Sequence, residues 1–431
     1  MKRINVGLIG FGTVGGGLYH LIEQNADIIT RRTGISVAIK TICDLRTDHV
    51  RERTTGADIT ADWKSVVDDD GIDIVAELIG GSEPARSIIT GALKRGKGVV
   101  TANKKLLAEE GAGIFRELNS GNVHLGFEAA VGGGIPCVLA LRHGLAGNRI
   151  ESIMGILNGT TNYILTKMQE SGMPFSEAIR VAQEKGFAEA DPTFDIEGYD
   201  AGHKIALLAM LAFNREIQYE DIQIEGISHI GKSDISYAGD MGYVIKLLGI
   251  AKCIDGKIDI RVHPTMIPFD HHLASVRDEY NSIMFDCDMA GPVILSGKGA
   301  GAEPTASAVL SDILQMALQG DAYAPPMVME GRADLIEPGK RVSRYYIRMH
   351  TDDGPNILAQ IAGVFGRHDI SIASVIQKET HPEHVPLIFM THEAVEEGML
   401  LAIKEIKEFT FIHGDVMLIR VENSQQGGDA E

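Results

Sequence analysis

From Ile4 to Leu107 the chain alternates apolar runs of strand length with apolar positions at helical spacing. INVGLIG gives way to a helix reaching about Thr33, VAIKTICDL and IDIVAELIG read as further strands, a helix follows to Arg95, and GVVTANK closes the series. Such alternation predicts a parallel sheet with crossover helices. A strand-like run, Val123 to Glu128, then meets AAVGGGIP, whose glycines and proline break regular structure, so a first domain is expected over 1–130. From Cys137 to about Lys298 longer helices, Pro174 to Lys185 and Asp200 to Asn214, mix with short strands such as ESIMGIL and KIDIRV. These predict an α+β substrate-binding and dimerisation domain over 131–301. Ala302 to Leu318 again has helical spacing and is expected to return, as a helix over 302–320, onto the first domain. A proline- and glycine-bearing stretch over 321–343 reads as a linker. Beyond it, 344–421 follows the order βαββαβ of a ferredoxin-like module, and the polar residues 422–431 are expected to be disordered.

Composition narrows the function classes. With 431 residues and 44% hydrophobic content the chain can bury several cores. A formal charge of -19 without a basic stripe would repel a phosphate backbone, so no nucleic-acid partner is expected. The longest strongly apolar stretch, Ile205 to Phe213, is about half a membrane span, so no membrane partner is expected either. Cys43, Cys137, Cys253 and Cys287 are far apart and imply neither a zinc site nor a disulfide framework, which fits a reducing cytoplasm.

The first chemistry-bearing motif is GFGTVG, placed directly after a strand and before a helix. Gly10 permits a tight turn, Gly12 lets the backbone approach a pyrophosphate, and Gly15 allows close helix-strand packing, with Phe11, Thr13 and Val14 of the same loop also expected to bind the cofactor. A Rossmann-type dinucleotide site follows, with phosphate charge held by helix N-terminal amides. At the end of the second strand Asp44 suits a ribose hydroxyl and Arg46 a 2'-phosphate, so the cofactor is NADP or NAD, with Arg46 favouring NADP.

Gly186 to Lys204, GFAEADPTFDIEGYDAGHK, is rich in carboxylates and ends in a lysine. Asp200 and Lys204 are four apart at the start of an apolar helix and share a face. By spacing alone the pair equally fits an ordinary surface ion pair. Two neighbours shift the balance: Lys104 ends the strand of VVTANK, where open α/β sheets bind ligands, and NGTTNYIL gathers small polar groups at the entry to a helix.

GFGTVG, VVTANK, EAAVGGGIP, NGTTNYIL, EADPTFDIEGYDAGHK and GKGAGAEPTASAVLSD together resemble, in order and over nearly the whole length, homoserine dehydrogenases with a C-terminal ACT domain. The resemblance implies reversible reduction of L-aspartate 4-semialdehyde to L-homoserine with NADPH or NADH. It makes Lys204 the proton donor, with Asp200 holding substrate and Lys104 near substrate and cofactor. Glu189 would bind the substrate amino group, and Gly186, Glu189 and Gly301 would border the cofactor. Such a lysine makes chemical sense, because hydride addition to an aldehyde leaves an alkoxide that an ammonium can stabilise and protonate. EAAVGGGIP resembles the family's monovalent-cation loop, implying sodium bound by the Glu128 side chain and the carbonyls of Val131, Gly133 and Ile135; oxygen donors suit such a hard ion.

Asp352 to Ile372 resembles the turn and helix of an ACT domain, with Pro355 stiffening the turn and Asn356 capping the helix. Feedback inhibition by threonine and a homodimer or homotetramer are the matching expectations. Two other readings compete. An aspartate-semialdehyde dehydrogenase needs an activated cysteine, and none of the four lies in a recognisable nucleophile motif. A non-catalytic amino-acid sensor would not need Lys104, Glu189, Asp200 and Lys204, and an activity assay separates it.

Overall fold

The computed structural model describes residues 2–118, 124–320, 329–377 and 384–422. Residues 321–328 of the expected linker and the tail from 423 onward lie outside the described residues. The chain divides into two compact units, the first formed by Met1–Gly159, Tyr199–Ile222 and Glu279–Ala333, the second by Thr160–Gly198, Gln223–Asp278 and Asp334–Glu431.

In the first unit, strands β1 (Lys2–Ile9), β2 (Ile35–Cys43), β3 (Asp58–Thr60), β4 (Ile74–Glu77), β5 (Gly98–Thr101) and β6 (Leu125–Gly126) form one sheet in the order β3-β2-β1-β4-β5-β6. Every neighbouring pair is parallel. The connections carry helices α1 (Thr13–Thr33), α2 (Thr47–Arg51), α3 (Trp63–Asp68), α4 (Ala85–Lys94) and α5 (Lys104–Leu118). Val6, Leu8 and Ile9 of β1 are all buried, the continuous apolar run of a strand covered on both faces. The strand order reverses between β1 and β4, and that crevice at the carboxyl ends is where such sheets bind ligands.

Helix α1 buries Gly15, Leu18, Ile22 and Ile29, a stripe at helical spacing, and stops at Gly34, whose φ of 72° lets its N–H reach the Thr30 carbonyl. The helix Ala302–Gln319 packs on α1 through Ala306, Val309 and Ile313. Contact is close because Gly17 has no side chain: a Cβ there would lie 2.9 Å from the Ala302 carbonyl oxygen. The helix Tyr199–Phe213 packs on α5, and the strands Ile150–Ile156, Tyr280–Cys287 and Gly291–Lys298 form antiparallel pairs.

In the second unit, Val342–Thr351, Ile357–Arg367, Ile372–Gln377, Val385–Thr391, Glu396–Lys407 and Ile412–Val421 follow in the order βαββαβ, with a short added strand, Ala394–Val395. Tyr345, Ile347 and Met349 face Ile361, Phe365, Met399 and Ile406 in its core. The last strand also pairs in parallel with Lys257–Pro268, through Thr265 with Arg420 and Met266 with Val421. One expectation is corrected. Asn356 stands at the cap position of Ile357–Arg367, but its φ is 72° and its side chain makes no capping bond. The left-handed conformation that closes the turn, which asparagine tolerates, replaces the extended backbone that a capping side chain needs.

The glycines of the first turn give a stability test. A Cβ at Gly15 would fall 2.0 Å from the Gly10 carbonyl oxygen, whereas one at Gly12 would meet nothing within 4 Å. Gly15→Ala is expected to cost about 1–3 kcal/mol and lower Tm, while Gly12→Ala leaves Tm nearly unchanged. Thermal unfolding of the two variants that agreed within error would reject this steric account.

Candidate active site

The glycine-rich turn builds a nucleotide-sized cleft by leaving atoms out. Gly10 has a φ of 100° and would drive a Cβ to 2.8 Å from the Leu78 backbone, so only glycine fits beside β4. Gly12 precedes α1 with open space where its side chain would be. Helix α1 has no side-chain cap and no acidic residue in its first turn, so its N-terminal amides and partial positive charge suit an anion. A cleft of about 610 Å³ opens here, lined by Phe11, Gly12, Thr13, Arg46, His49 and Arg53 among others. Val14 turns inward against the core instead. Gly301, with a φ of 121°, precedes the returning helix, whose Ala302 and Glu303 complete the wall.

Arg46 lines the cleft, whereas Asp44 serves the turn behind it. The Asp44 carboxylate accepts the Phe11 N–H at 2.8 Å through Oδ2 and the Arg46 N–H at 2.8 Å through Oδ1. Burial pushes the Asp44 pKa up, but these amides and the Arg46 charge outweigh it and hold the carboxyl below its usual range. Asp44 therefore ties the turn to β2, while Arg46 leaves its side chain 65% exposed at the cleft.

The carboxyl edge that carries the GFGTVG turn also carries Lys104, the first residue of α5 after β5. Asn103 fixes that helix start: its Oδ1 accepts the Leu106 N–H at 3.1 Å and its Nδ2 donates to the Gly81 carbonyl at 2.7 Å. The Lys104 ammonium forms an ion pair with Asp200 Oδ1. On the other side, Asp200 Oδ2 accepts from Lys204 Nζ at 2.7 Å and from Asn158 Nδ2 at 2.9 Å. Lys204 Nζ donates as well to the Leu157 carbonyl at 2.7 Å. Asp200 and Lys204 are buried, 3% and 6% exposed, in the first turns of Tyr199–Phe213. Burial alone would favour a neutral Asp200, but Lys204 and Lys104 overcome it and hold the pKa far below the usual carboxylate range. The trio therefore keeps one buried negative charge between two cationic side chains, a net positive environment suited to an anionic oxygen.

Spacing had foreshadowed Asp200 and Lys204, and the structure joins Lys104 to them. It also adds roles that no motif assigned. Asn158 lies in NGTTNYIL, but its role as an Asp200 donor and that of the Leu157 carbonyl needed the fold. His203 stacks on Tyr219 at 4.1 Å and lies 3.3 Å from Glu109 of α5, a pairing with no local sequence signal. Burial lowers the His203 pKa, only partly offset by Glu109. Gly186 and Glu189 belong to the second unit, where Gly186 has a φ of 75° just after Phe175–Glu184 and Glu189 is exposed.

The EAAVGGGIP loop is buried apart from Gly134 and Pro136, with Glu128 3% exposed. The Glu128 carboxylate accepts the N–H groups of Val138 at 2.9 Å and Leu139 at 2.7 Å. Burial and the charge of Asp312 nevertheless push its pKa up to about 7. The Val131 carbonyl accepts from the Cys137 thiol, the Ile135 carbonyl accepts from the Cys137 N–H, and Gly133 has a φ of 55°. A buried carboxylate short of positive charge, in a loop of carbonyls, fits a small hard cation.

Residues 10–128 match the family model described as homoserine dehydrogenase, NAD binding domain; residues 136–314 match homoserine dehydrogenase; and residues 345–410 match the ACT domain. The chain is 42% identical to the homoserine dehydrogenase of Neisseria gonorrhoeae over 98% of this chain and 99% of that one. It is 40% identical to that of Pseudomonas aeruginosa, again over 98% and 99%. The solved homoserine dehydrogenase of Thiobacillus denitrificans superimposes with a TM-score of 0.92 at 41% identity, over 98% and 99% of the two chains. A hyperthermophilic archaeal homoserine dehydrogenase, solved in complex with NADPH, covers 74% of this chain and 98% of its own at 28% identity and a TM-score of 0.63. With three matching domains and full-length relatives, this chain belongs to the homoserine dehydrogenase family, in the form that carries a C-terminal ACT domain.

Proposed function

We propose that the cluster of Lys104, Asp200 and Lys204 performs the family's reaction, reversible reduction of L-aspartate 4-semialdehyde to L-homoserine. The observation that carries this is the buried Asp200 carboxylate held between two ammonium groups at the carboxyl edge of a dinucleotide-binding sheet. When bound, the reduced nicotinamide supplies a hydride to the aldehyde carbon. The aldehyde oxygen takes on the resulting negative charge, and Lys204 Nζ, fixed by Asp200 and the Leu157 carbonyl, gives it a proton. Lys204, left neutral, regains a proton from solvent. Lys104 adds a second cation that favours the developing alkoxide, and Asp200 holds both lysines in place. Glu189, an exposed carboxylate, would take the substrate ammonium, with Gly186 and Gly301 bordering the cofactor.

NADP is the cofactor this cleft suits best. Asp44 already accepts two backbone amides, whereas Arg46, with His49 and Arg53 beside it, offers cationic or hydrogen-bonding groups to a 2'-phosphate. Sodium would sit in the EAAVGGGIP loop, held by Glu128 and the carbonyls of Val131, Gly133 and Ile135, where it would rigidify the loop without joining the chemistry. Threonine is the natural effector of the ACT module, and its turn from Asp352 to Asn356 would receive it. A homodimer or homotetramer is supported by the edge strands Gly291–Lys298 and Ile372–Gln377. None of the described helices is long and apolar enough to cross a membrane, and free cysteines are consistent with the cytoplasm.

The reaction is tested by following nicotinamide absorbance with L-homoserine and NADP or NAD, with and without threonine. Lys204→Ala should lower kcat by roughly 10²–10⁴ while cofactor Kd stays within error; wild-type turnover in that variant would refute the acid/base role. Arg46→Ser should raise KM for NADP by about tenfold or more and leave that for NAD unchanged, as expected for one charge-assisted contact. Equal effects on both cofactors would remove Arg46 from selectivity.

The cation loop makes a pH-dependent prediction. Because folding raises the Glu128 pKa from 4.5 to about 7, the folded state binds the proton more tightly, and stability falls as pH rises between those values. The penalty above that window is on the order of 3 kcal/mol. A sodium ion beside the carboxylate would relieve it. Added sodium, compared with choline at equal ionic strength, should therefore raise Tm more above pH 7 than near pH 5, and Glu128→Gln should abolish the difference. Equal shifts at both pH values would rule out sodium beside Glu128.

A further inference from the structure

The ACT module carries a second cluster of ligating side chains, in which Asp352, at the root of the turn after the first strand, meets two histidines that no motif marked. Three neighbouring strands meet at one end of its sheet, with Val342–Thr351 lying between Val385–Thr391 and Ile412–Val421. Thr351 pairs with Val385 on one side and with Ile412 on the other. Asp352 and His384 therefore stand one step beyond a paired position, opposite each other. His413 stands one step inside, opposite His350. Alternation puts Asp352, His384 and His413 on the face away from Tyr345, Ile347 and Met349, which fill the core beneath the helices.

The side chains converge as that register requires. His413 Nε2 lies 2.7 Å from Asp352 Oδ1, and His384 Nδ1 lies 3.9 Å from the same oxygen. The two imidazoles stack with centroids 3.8 Å apart. One nitrogen from each ring and one carboxylate oxygen all fall within 4.8 Å of one another. Ligand atoms around a tetrahedral zinc ion, each about 2.0–2.2 Å from the metal, are separated by roughly 3.3 Å, so small side-chain rotations suffice. Partial exposure of all three leaves solvent able to complete the coordination.

We propose that Asp352, His384 and His413 bind a divalent transition-metal ion of the zinc, cobalt or nickel class. Two imidazoles and one carboxylate form the borderline donor set that these ions prefer over magnesium or calcium. In the metal-free arrangement a hydrogen bond joins His413 Nε2 and Asp352 Oδ1; on binding, any proton on the two ligating nitrogens leaves to solvent and each nitrogen donates its lone pair to the ion. The ion ties together the root of the Asp352 to Asn356 turn and the starts of two strands, so its binding energy adds to the stability of the module.

Zinc chloride is titrated calorimetrically into the untagged, chelator-treated full chain, and Tm is recorded with and without zinc. Binding at one ion per chain and a zinc-dependent rise in Tm are expected. The double variant His384→Ala with His413→Ala should lose both, and Asp352→Asn should weaken binding by about tenfold or more. Far-UV circular dichroism confirms folding of each variant; because the three side chains lie at the surface, wild-type spectra are expected. Failure of the wild-type chain to bind zinc, or unchanged binding in both variants, overturns the proposal. Loss of binding in the His384→Ala, His413→Ala double variant with unchanged homoserine turnover would support a site separate from the reaction.

Discussion

A carboxylate taken out of water needs compensation close at hand, and Asp200 receives it from both sides. With Asp200 only 3% exposed, the cost of burying its charge is met by Lys204 on the same helix, by Lys104 from α5 and by the Asn158 amide. Those partners come from three separate segments, so the arrangement depends on the positions of α5, Tyr199–Phe213 and the end of Ile150–Ile156 together. Removing one partner of such a group leaves an unmatched buried charge, a far larger disturbance than breaking a surface ion pair. The same constraint organises the chemistry, because a side chain immobilised by folding needs no rearrangement when charge develops beside it.

The dinucleotide turn follows a different logic, one of excluded atoms. Gly10, Gly15 and Gly17 are required by backbone close approach, while Gly12 is open toward the cleft. Gly10 and Gly17 meet Leu78 and Ala302, far away in sequence, but the GFGTVG spacing with its flanking strand and helix is local and was therefore legible in the sequence. The parallel sheet, the returning helix and the βαββαβ order were legible for the same reason: each is written in local periodicity and in the order of elements.

Contacts between segments distant in sequence were less legible. Spacing paired Asp200 with Lys204 but left open an ordinary surface pair, and burial of both decided the matter. Lys104 could be placed at the carboxyl edge of a strand, yet nothing local said that it would meet Asp200. Glu109 and His203 come together only because α5 packs on Tyr199–Phe213. Asn356 shows a local rule failing, since a residue type with two uses, helix cap and left-handed turn, was read as the first and serves as the second. Glu128 was marked as an oxygen donor, but its two bonds to backbone amides depend on the chain folding back at Val138 and Leu139.

Within the second unit, the end of the ACT module is fixed by charge as well as by strand pairing. Arg420, 4% exposed, donates to both oxygens of Glu225 at 2.9 Å and through Nε to Glu396 at 3.0 Å, while Glu396 also accepts from Tyr345 at 3.1 Å. Two residues on, Glu422 accepts from Arg261 at 2.6 Å and from Lys252 at 2.7 Å. Apolar side chains of similar volume would hold strands together at less desolvation cost, so the net stability from these ions is small. What they add is discrimination. A slip of one residue in the parallel pairing of Ile412–Val421 with Lys257–Pro268 would turn Arg420 to the opposite face and leave the buried Glu396 and the half-buried Glu225 without it. The register that joins the ACT strands to their neighbours is thus enforced by the penalty on every alternative, and a ligand that strains those strands has few intermediate positions available to them.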